Sequence, residues 1–349
     1  MTAKCKTQNL ELKESSGLSG SGNQTAGSAS SHWRLAMISL SIALGVLSFP
    51  ALVANADSST EPSLAQNQRV FVCGHSFHVG IAKILPEMAQ AAGLTNFASA
   101  GVEFIGGSTT LQHWDLPDKK SKAKAALREG KVDVLTLSPI PRKLIPDPGI
   151  DKFTKLGLEK NPQLRVFVQE SWSAWDEAKD PTAFKKEQRD RTPLAEMRAA
   201  KAVWEGKVES QVKALNESLG RQVVFIIPTW VAVQTLRERV AADKVPGIAH
   251  QTELFRDDIG HPEPPVAVLN AYCHFAAIFR RSPVGLPVPT ALKHYPHAED
   301  LNRLLQQLAW DAVSSHPMSG VNQKPSGELP ASKPGAPAIQ AGAVEPQRL

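Results

Sequence analysis

Apolar residues fall in short, nearly unbroken runs over four stretches of the chain, 69–73, 133–137, 164–169 and 223–228. Each is rich in Val, Ile, Leu and Phe, the pattern of strands covered on both faces. A fifth, weaker strand is predicted over 97–104. Helical segments are predicted between the runs, over 79–92, 121–130, within 193–219, over 231–242 and over 266–280. Strands alternating with helices imply a mostly parallel five-stranded sheet with helices on both faces, an α/β/α sandwich. In such sheets ligands bind at the carboxyl ends of the strands. The chemistry is therefore expected just after each run.

The flanks have a different pattern. Residues 35–53 form the only long uncharged apolar run, preceded by Arg34 and followed by the small residues Ala54-Asn55-Ala56. That order of charge, apolar core and small residues reads as a signal peptide ending near residue 56, and implies a secreted or periplasmic protein. The run is also long enough to span a bilayer, so an uncleaved membrane anchor is the alternative. Residues 57–67 read as a polar linker and 68–316 as one α/β domain. The stretch 317–349 has six prolines, four glycines and no aromatic residue, and is expected to be a disordered tail.

With 42% hydrophobic and 21% charged residues in 349, the composition is that of a globular protein and excludes a fully disordered chain. The net charge of +5 falls to +3 without residues 1–56, which carry four basic and two acidic groups. No concentrated basic face is visible, which argues against a nucleic-acid partner. Only Cys73 and Cys273 lie beyond the leader. Two cysteines make no disulfide framework, and whether they form one bridge is left open.

Three blocks carry candidate chemistry. After the first strand comes Gly74-His75-Ser76-Phe77-His78, then a helix. A serine at a strand-to-helix turn has an exposed hydroxyl faced by backbone N–H groups, as acyl-transfer enzymes present their nucleophile, although a helix-capping serine is the simpler explanation. Further on stands Asp257-Asp258-Ile259-Gly260-His261-Pro262. Asp258 is three residues from His261 and can hold the imidazole tautomer, with Asp257 as fallback; the plain reading of the same pattern is a surface turn. The third block is Gly106-Gly107-Ser108-Thr109-Thr110, where a glycine lets a backbone N–H approach a substrate closely.

Taken in chain order, the three blocks resemble the SGNH (GDSL-like) hydrolases. Gly74-His75-Ser76 is similar to the family's Gly-Asp-Ser, with His75 in place of the aspartate. Gly106-Gly107-Ser108-Thr109-Thr110 is similar to its second block and puts the oxyanion glycine at Gly107. Asp258 through Pro262 matches its Asp-x-x-His-Pro. The resemblance covers about residues 69–280. It implies a flavodoxin-like sandwich, a Ser76–His261–Asp258 triad, and an oxyanion held by the backbone N–H groups of Ser76 and Gly107. The expected activity is hydrolysis of a carboxylic ester, an acyl group on a carbohydrate being one class, without a cofactor or metal. The alternative is a non-catalytic ligand-binding protein on the same fold.

One departure bears on activity. The family's Gly-x-Asn-Asp should follow 133–137, where this chain has Ser138-Pro139-Ile140-Pro141. A missing oxyanion donor typically costs about 10²–10³ in turnover. Gln112, His113 and Gln169 are the nominated substitutes, with His75 a further option. Trp114, Trp172 and Trp175 follow predicted strands and are candidates to line a cleft. His75, His78, His113 and Asp115 lack the spacing of a metal site, and no Walker A loop, Gly-x-Gly-x-x-Gly fingerprint or Cys-x-x-Cys pair points to a nucleotide cofactor or zinc.

Overall fold

A computed structural model describes residues 68–321. The expected leader, signal segment and linker, and the tail from 322 onward, lie outside the described residues. Five strands form one sheet: β1 (Gln68–Gly74), β2 (Phe97–Phe104), β3 (Val134–Leu137), β4 (Arg165–Gln169) and β5 (Val224–Ile227). Every pairing is parallel, in the spatial order β2-β1-β3-β4-β5. The helices are α1 (Ile81–Ala91), α2 (Thr110–Trp114), α3 (Lys122–Arg128), α4 (Pro148–Leu158), α5 (Leu194–Ser218), α6 (Thr229–Ala241), α7 (Pro264–Phe279) and α8 (Ala298–Ser315).

Side chains of a strand alternate between its faces, and here they feed two cores. Val70 and Val72 pack with α1, α6, α7 and α8 on one face, whereas Phe71 and Cys73 pack with α3, α4 and α5 on the other. The sheet is thus the middle layer of the α/β/α sandwich read from the apolar runs. The central strands β3 and β4, and the edge strand β5, are buried at every position. The edge strand β2 is buried only at Glu103, and its partial exposure accounts for its weaker apolar signal.

Cys73 and Cys273 are both free and buried, on β1 and α7. The domain continues past residue 316: the Ile226 amide donates to the Met318 carbonyl at 2.9 Å, alongside β5. Among the described residues, no helix is long and apolar enough to cross a membrane.

Candidate active site

The parallel sheet brings the ends of β1, β3 and β4 side by side, with Cys73 opposite Leu137 and Leu137 opposite Val168. Ser76 follows β1 in a coil of turns closed by the His78 and Val79 amides, which both donate to the His75 carbonyl. Gly74 is required by close packing, since a Cβ there would lie 2.9 Å from the ring of buried His78. Helix α1 begins only at Ile81, so Ser76 does not cap it.

His261 comes from the loop before α7. Its Nε2 lies 2.9 Å from Ser76 Oγ, and its Nδ1 lies 2.6 Å from Asp257 Oδ2. The orienting carboxylate is therefore Asp257, the fallback, and not Asp258. The turn explains the exchange. Asp257 Oδ1 accepts from the Gly260 and His261 amides at 3.0 and 3.1 Å, which folds the chain so that residue 261 meets residue 257. Asp258 points away, accepting from the Lys186 amide at 2.9 Å and from Lys185 Nζ at 3.1 Å. Gly260 has φ +103°, and buried Arg189 clamps the turn through the carbonyls of Asp257 and Asp258. Burial pushes the Asp257 carboxyl up, but hydrogen bonds from His261 and Gly260 outweigh it and hold it below the usual aspartate range.

Beside this row opens a cleft of about 280 Å³ whose wall includes Ser76, Phe77, Gly107, Ser171, Trp172 and Trp175. Gly107 has φ +58°, a conformation that favours glycine, and it lines the cleft. Phe77 stacks on Trp172 with ring centroids 4.8 Å apart and meets His261 edge-on at 5.5 Å. Trp204, which the sequence did not single out, also lines the cleft; Trp114 does not, and packs on Phe153 beneath α2. Trp175, Asp176 and Glu177 all have left-handed φ, and two arginines fix the segment, Arg237 and Arg189, both paired with Asp176. Strain of that kind is held only where the surroundings over-determine it.

The nominated oxyanion substitutes are engaged elsewhere. Gln112 Oε1 accepts from the Thr109 amide to cap α2. His113 is buried, with Nδ1 3.0 Å from Glu103 and Nε2 2.8 Å from Ser108 Oγ. Gln169 donates Nε2 to the Phe77 carbonyl and to Ser171 Oγ. His75 lines the cleft, but its ring nitrogens are met by the Phe77 amide and Ser138 Oγ. Burial pulls the His75 pKa down to about 3 and that of His78 to about 4, so both rings are neutral in neutral solution.

Among the described residues, two groups of side chains have the proximity of metal ligands. In the first, Cys73, Glu103 and His113, the Glu103 carboxylate already accepts from His113, Ser121 and the Ala123 amide, and burial raises the Cys73 thiol. In the second, Glu170, Glu209 and His316, the imidazole accepts the Met318 amide at Nδ1. Nε2 therefore carries the ring proton and faces Glu209 at 3.1 Å, as a donor. Neither donor set fits a cation as it stands.

No protein-family model and no curated protein matches the chain. Among solved structures it is similar to a DUF4886 family protein from Bacteroides uniformis ATCC 8492, at 16% identity and a TM-score of 0.46, over 72% of this chain and 96% of that one. It is also similar to a protein described as "a putative SGNH hydrolase" from Slackia heliotrinireducens, at 14% identity and a TM-score of 0.37, over 60% of this chain and 97% of that one. The functional reading rests on the geometry of the cleft.

Proposed function

We propose that this protein is an exported serine hydrolase that cleaves a carboxylic ester. The observation that carries the reading is the hydrogen-bonded row Ser76–His261–Asp257, at 2.9 and 2.6 Å, opening on an aromatic cleft. With Asp257 accepting from Nδ1–H, the lone pair of His261 sits on Nε2 and faces the serine hydroxyl. Ser76 Oγ attacks the ester carbonyl carbon and its proton passes to Nε2. The tetrahedral intermediate carries its charge on the former carbonyl oxygen, beside the backbone N–H groups of Ser76 and Gly107. It collapses as His261 returns the proton to the leaving alcohol; a water activated by the same nitrogen then releases the acid and restores Ser76. The aromatic wall suits an acyl group on a sugar ring or another flat, partly apolar ester.

The second reading, a non-catalytic ligand-binding protein, is favoured by the absence of asparagine after β3, where Ser138-Pro139-Ile140-Pro141 stands. A fluorophosphonate probe separates the two. Labelling of folded protein at neutral to mildly alkaline pH, abolished in Ser76→Ala, is the expected result. A folded protein that takes no label and turns over no nitrophenyl ester is the binding protein instead.

A further inference from the structure

Two backbone amides leave one side of an oxyanion open, and the chain has no asparagine after β3 to close it. Of the cations on the cleft wall, Arg142 pairs with Glu177, Lys201 with Glu205, and Lys143 Nζ gives one of its three protons to the Gly107 carbonyl. The wall also holds a hydroxyl. Ser171, two residues beyond β4, lines the same cleft as Ser76 and Gly107.

The direction of each hydrogen bond behind Ser171 follows from the donors at the two ends. The Phe77 amide can only donate, and it points at His75 Nδ1 at 3.3 Å. Nδ1 is therefore the lone-pair nitrogen, and the single proton of this neutral ring sits on Nε2. Nε2 lies 3.0 Å from Ser138 Oγ, which must accept. Ser138 then has its own proton free for Ser171 Oγ, 3.0 Å away. From the other side Gln169 Nε2 also donates to Ser171 Oγ, at 2.6 Å; the Phe77 carbonyl, which can only accept, lies 3.2 Å from the same atom and fixes it as the nitrogen. Ser171 Oγ thus accepts twice. A hydroxyl has two lone pairs and one proton, so both lone pairs are used and the proton remains. Ser171 is among the lining residues of the cleft, and the polar groups met on its inner side are already donors.

We infer that the Ser171 hydroxyl is the third oxyanion donor of this site, turned toward the cleft by the Phe77–His75–Ser138 relay and by Gln169. Ser138 stands where the family pattern puts its third block, and here it acts one step back, as a positioning residue. The replacement of the expected aspartate by His75 belongs to the same device, since an aspartate at that position would have no proton to give Ser138. This inference rests on the hydrolase reading given above.

The test uses the mature protein with a nitrophenyl ester and with an alkyl boronic acid, whose tetrahedral adduct on Ser76 places an oxygen at the oxyanion position. Ser171→Ala is expected to lower kcat by about 10²-fold, with KM changed by less than about threefold. The same factor should be lost from boronate affinity, because the donor acts mainly on the tetrahedral state. Ser171→Thr keeps a hydroxyl and should recover most of kcat; Ser171→Val, of the same shape, should not. That pair decides the matter should Ser171→Ala fail to fold. Equal kcat for the Thr and Val variants, or an Ala variant within about threefold of wild type, overturns the inference while the labelled, active Ser76 leaves the hydrolase reading standing. Absence of Ser76 labelling in wild type overturns both.

Discussion

At the scale of single residues, two adjacent aspartates have opposite environments, and this makes a sharp prediction. Asp257 holds His261 Nδ1 at 2.6 Å, whereas Asp258 faces Lys185 and the Lys186 amide. Replacing the carboxylate that sets a catalytic histidine's tautomer typically costs about 10⁴ in kcat. Asp257→Asn is expected to lose a factor of that order in ester turnover, and Asp258→Asn less than about fivefold. Steady-state kinetics on the two variants checks this, and equal losses would return Asp258 to the site. From the sequence, Ser76, His261 and Gly107 were legible because each sits in a block with its own local chemistry. The choice between the aspartates was not, since spacing alone permits both. It is decided by the Asp257 Oδ1 turn and the arginine that clamps it.

At the scale of elements, one buried side chain fixes the support of the Gly107 loop. Asp147 Oδ1 caps α4 through the Gly149 amide at 3.0 Å, and its two oxygens also accept the Thr110 and Leu111 amides at the start of α2, at 2.6 and 2.9 Å. Burial raises its carboxyl pKa, and these amides only partly reverse the shift. Asp147→Ala leaves three amides without their acceptor and is expected to destabilise the domain by about 2–4 kcal/mol. Chemical denaturation measures it, and a loss below about 1 kcal/mol would mean that water replaces the carboxylate. The sequence reading placed the five strands and the helices α1, α3, α5, α6 and α7. It did not assign α2, which is a single turn, or α4, which opens with Pro148 and contains Gly149 and Gly157. Both glycines answer to tertiary packing, as a Cβ at either would come within 2.4 Å of Leu111 or Leu164. Helix α8 carries a helical signal in its sequence as well, with Leu301, Leu305, Leu308 and Ala312 at helical spacing.

At the scale of the whole molecule, buried titratable groups set the pH dependence of stability. His75, His78 and His274 are buried neutral, with pKa values pulled down to about 3, to about 4 and well below the ordinary value. Their depressed pKa values mean that the unfolded chain binds more protons below about pH 6.5, so stability is lost as pH falls from there toward the folded values. Each such group contributes a slope of about 1.4 kcal/mol per pH unit within that window. Glu170 and Glu205 act oppositely: burial raises both, so the folded chain keeps protons that the unfolded chain sheds above about pH 4.5, and stability falls as pH rises. The three histidines favour a loss of stability as pH falls below about 6.5, and the raised carboxyls, Asp147 among them, oppose it. Glu170→Gln removes one opposing term while its side-chain oxygen can still accept from Trp230, now 2.9 Å away. Its melting temperature should exceed that of wild type at pH 8, with the advantage shrinking toward pH 5. Melts across that range check both signs, and a constant difference would place the ionised form of Glu170 in the folded protein.

The sequence by itself determined the α/β class, the parallel sheet and the blocks that hold Ser76, Gly107 and His261. These depend on local periodicity, and on residue types that serve few purposes in a turn. Tertiary structure alone decided which aspartate meets His261, which tryptophans face the cleft and where the side chains of Gln112, His113 and Gln169 are engaged instead. Gln112, His113 and Gln169 are all capable donors by type, but a buried donor is committed to whichever acceptor the fold sets beside it. That pairing joins β1, β3 and β4 across gaps such as the 63 positions from His75 to Ser138, and no spacing in the chain records it.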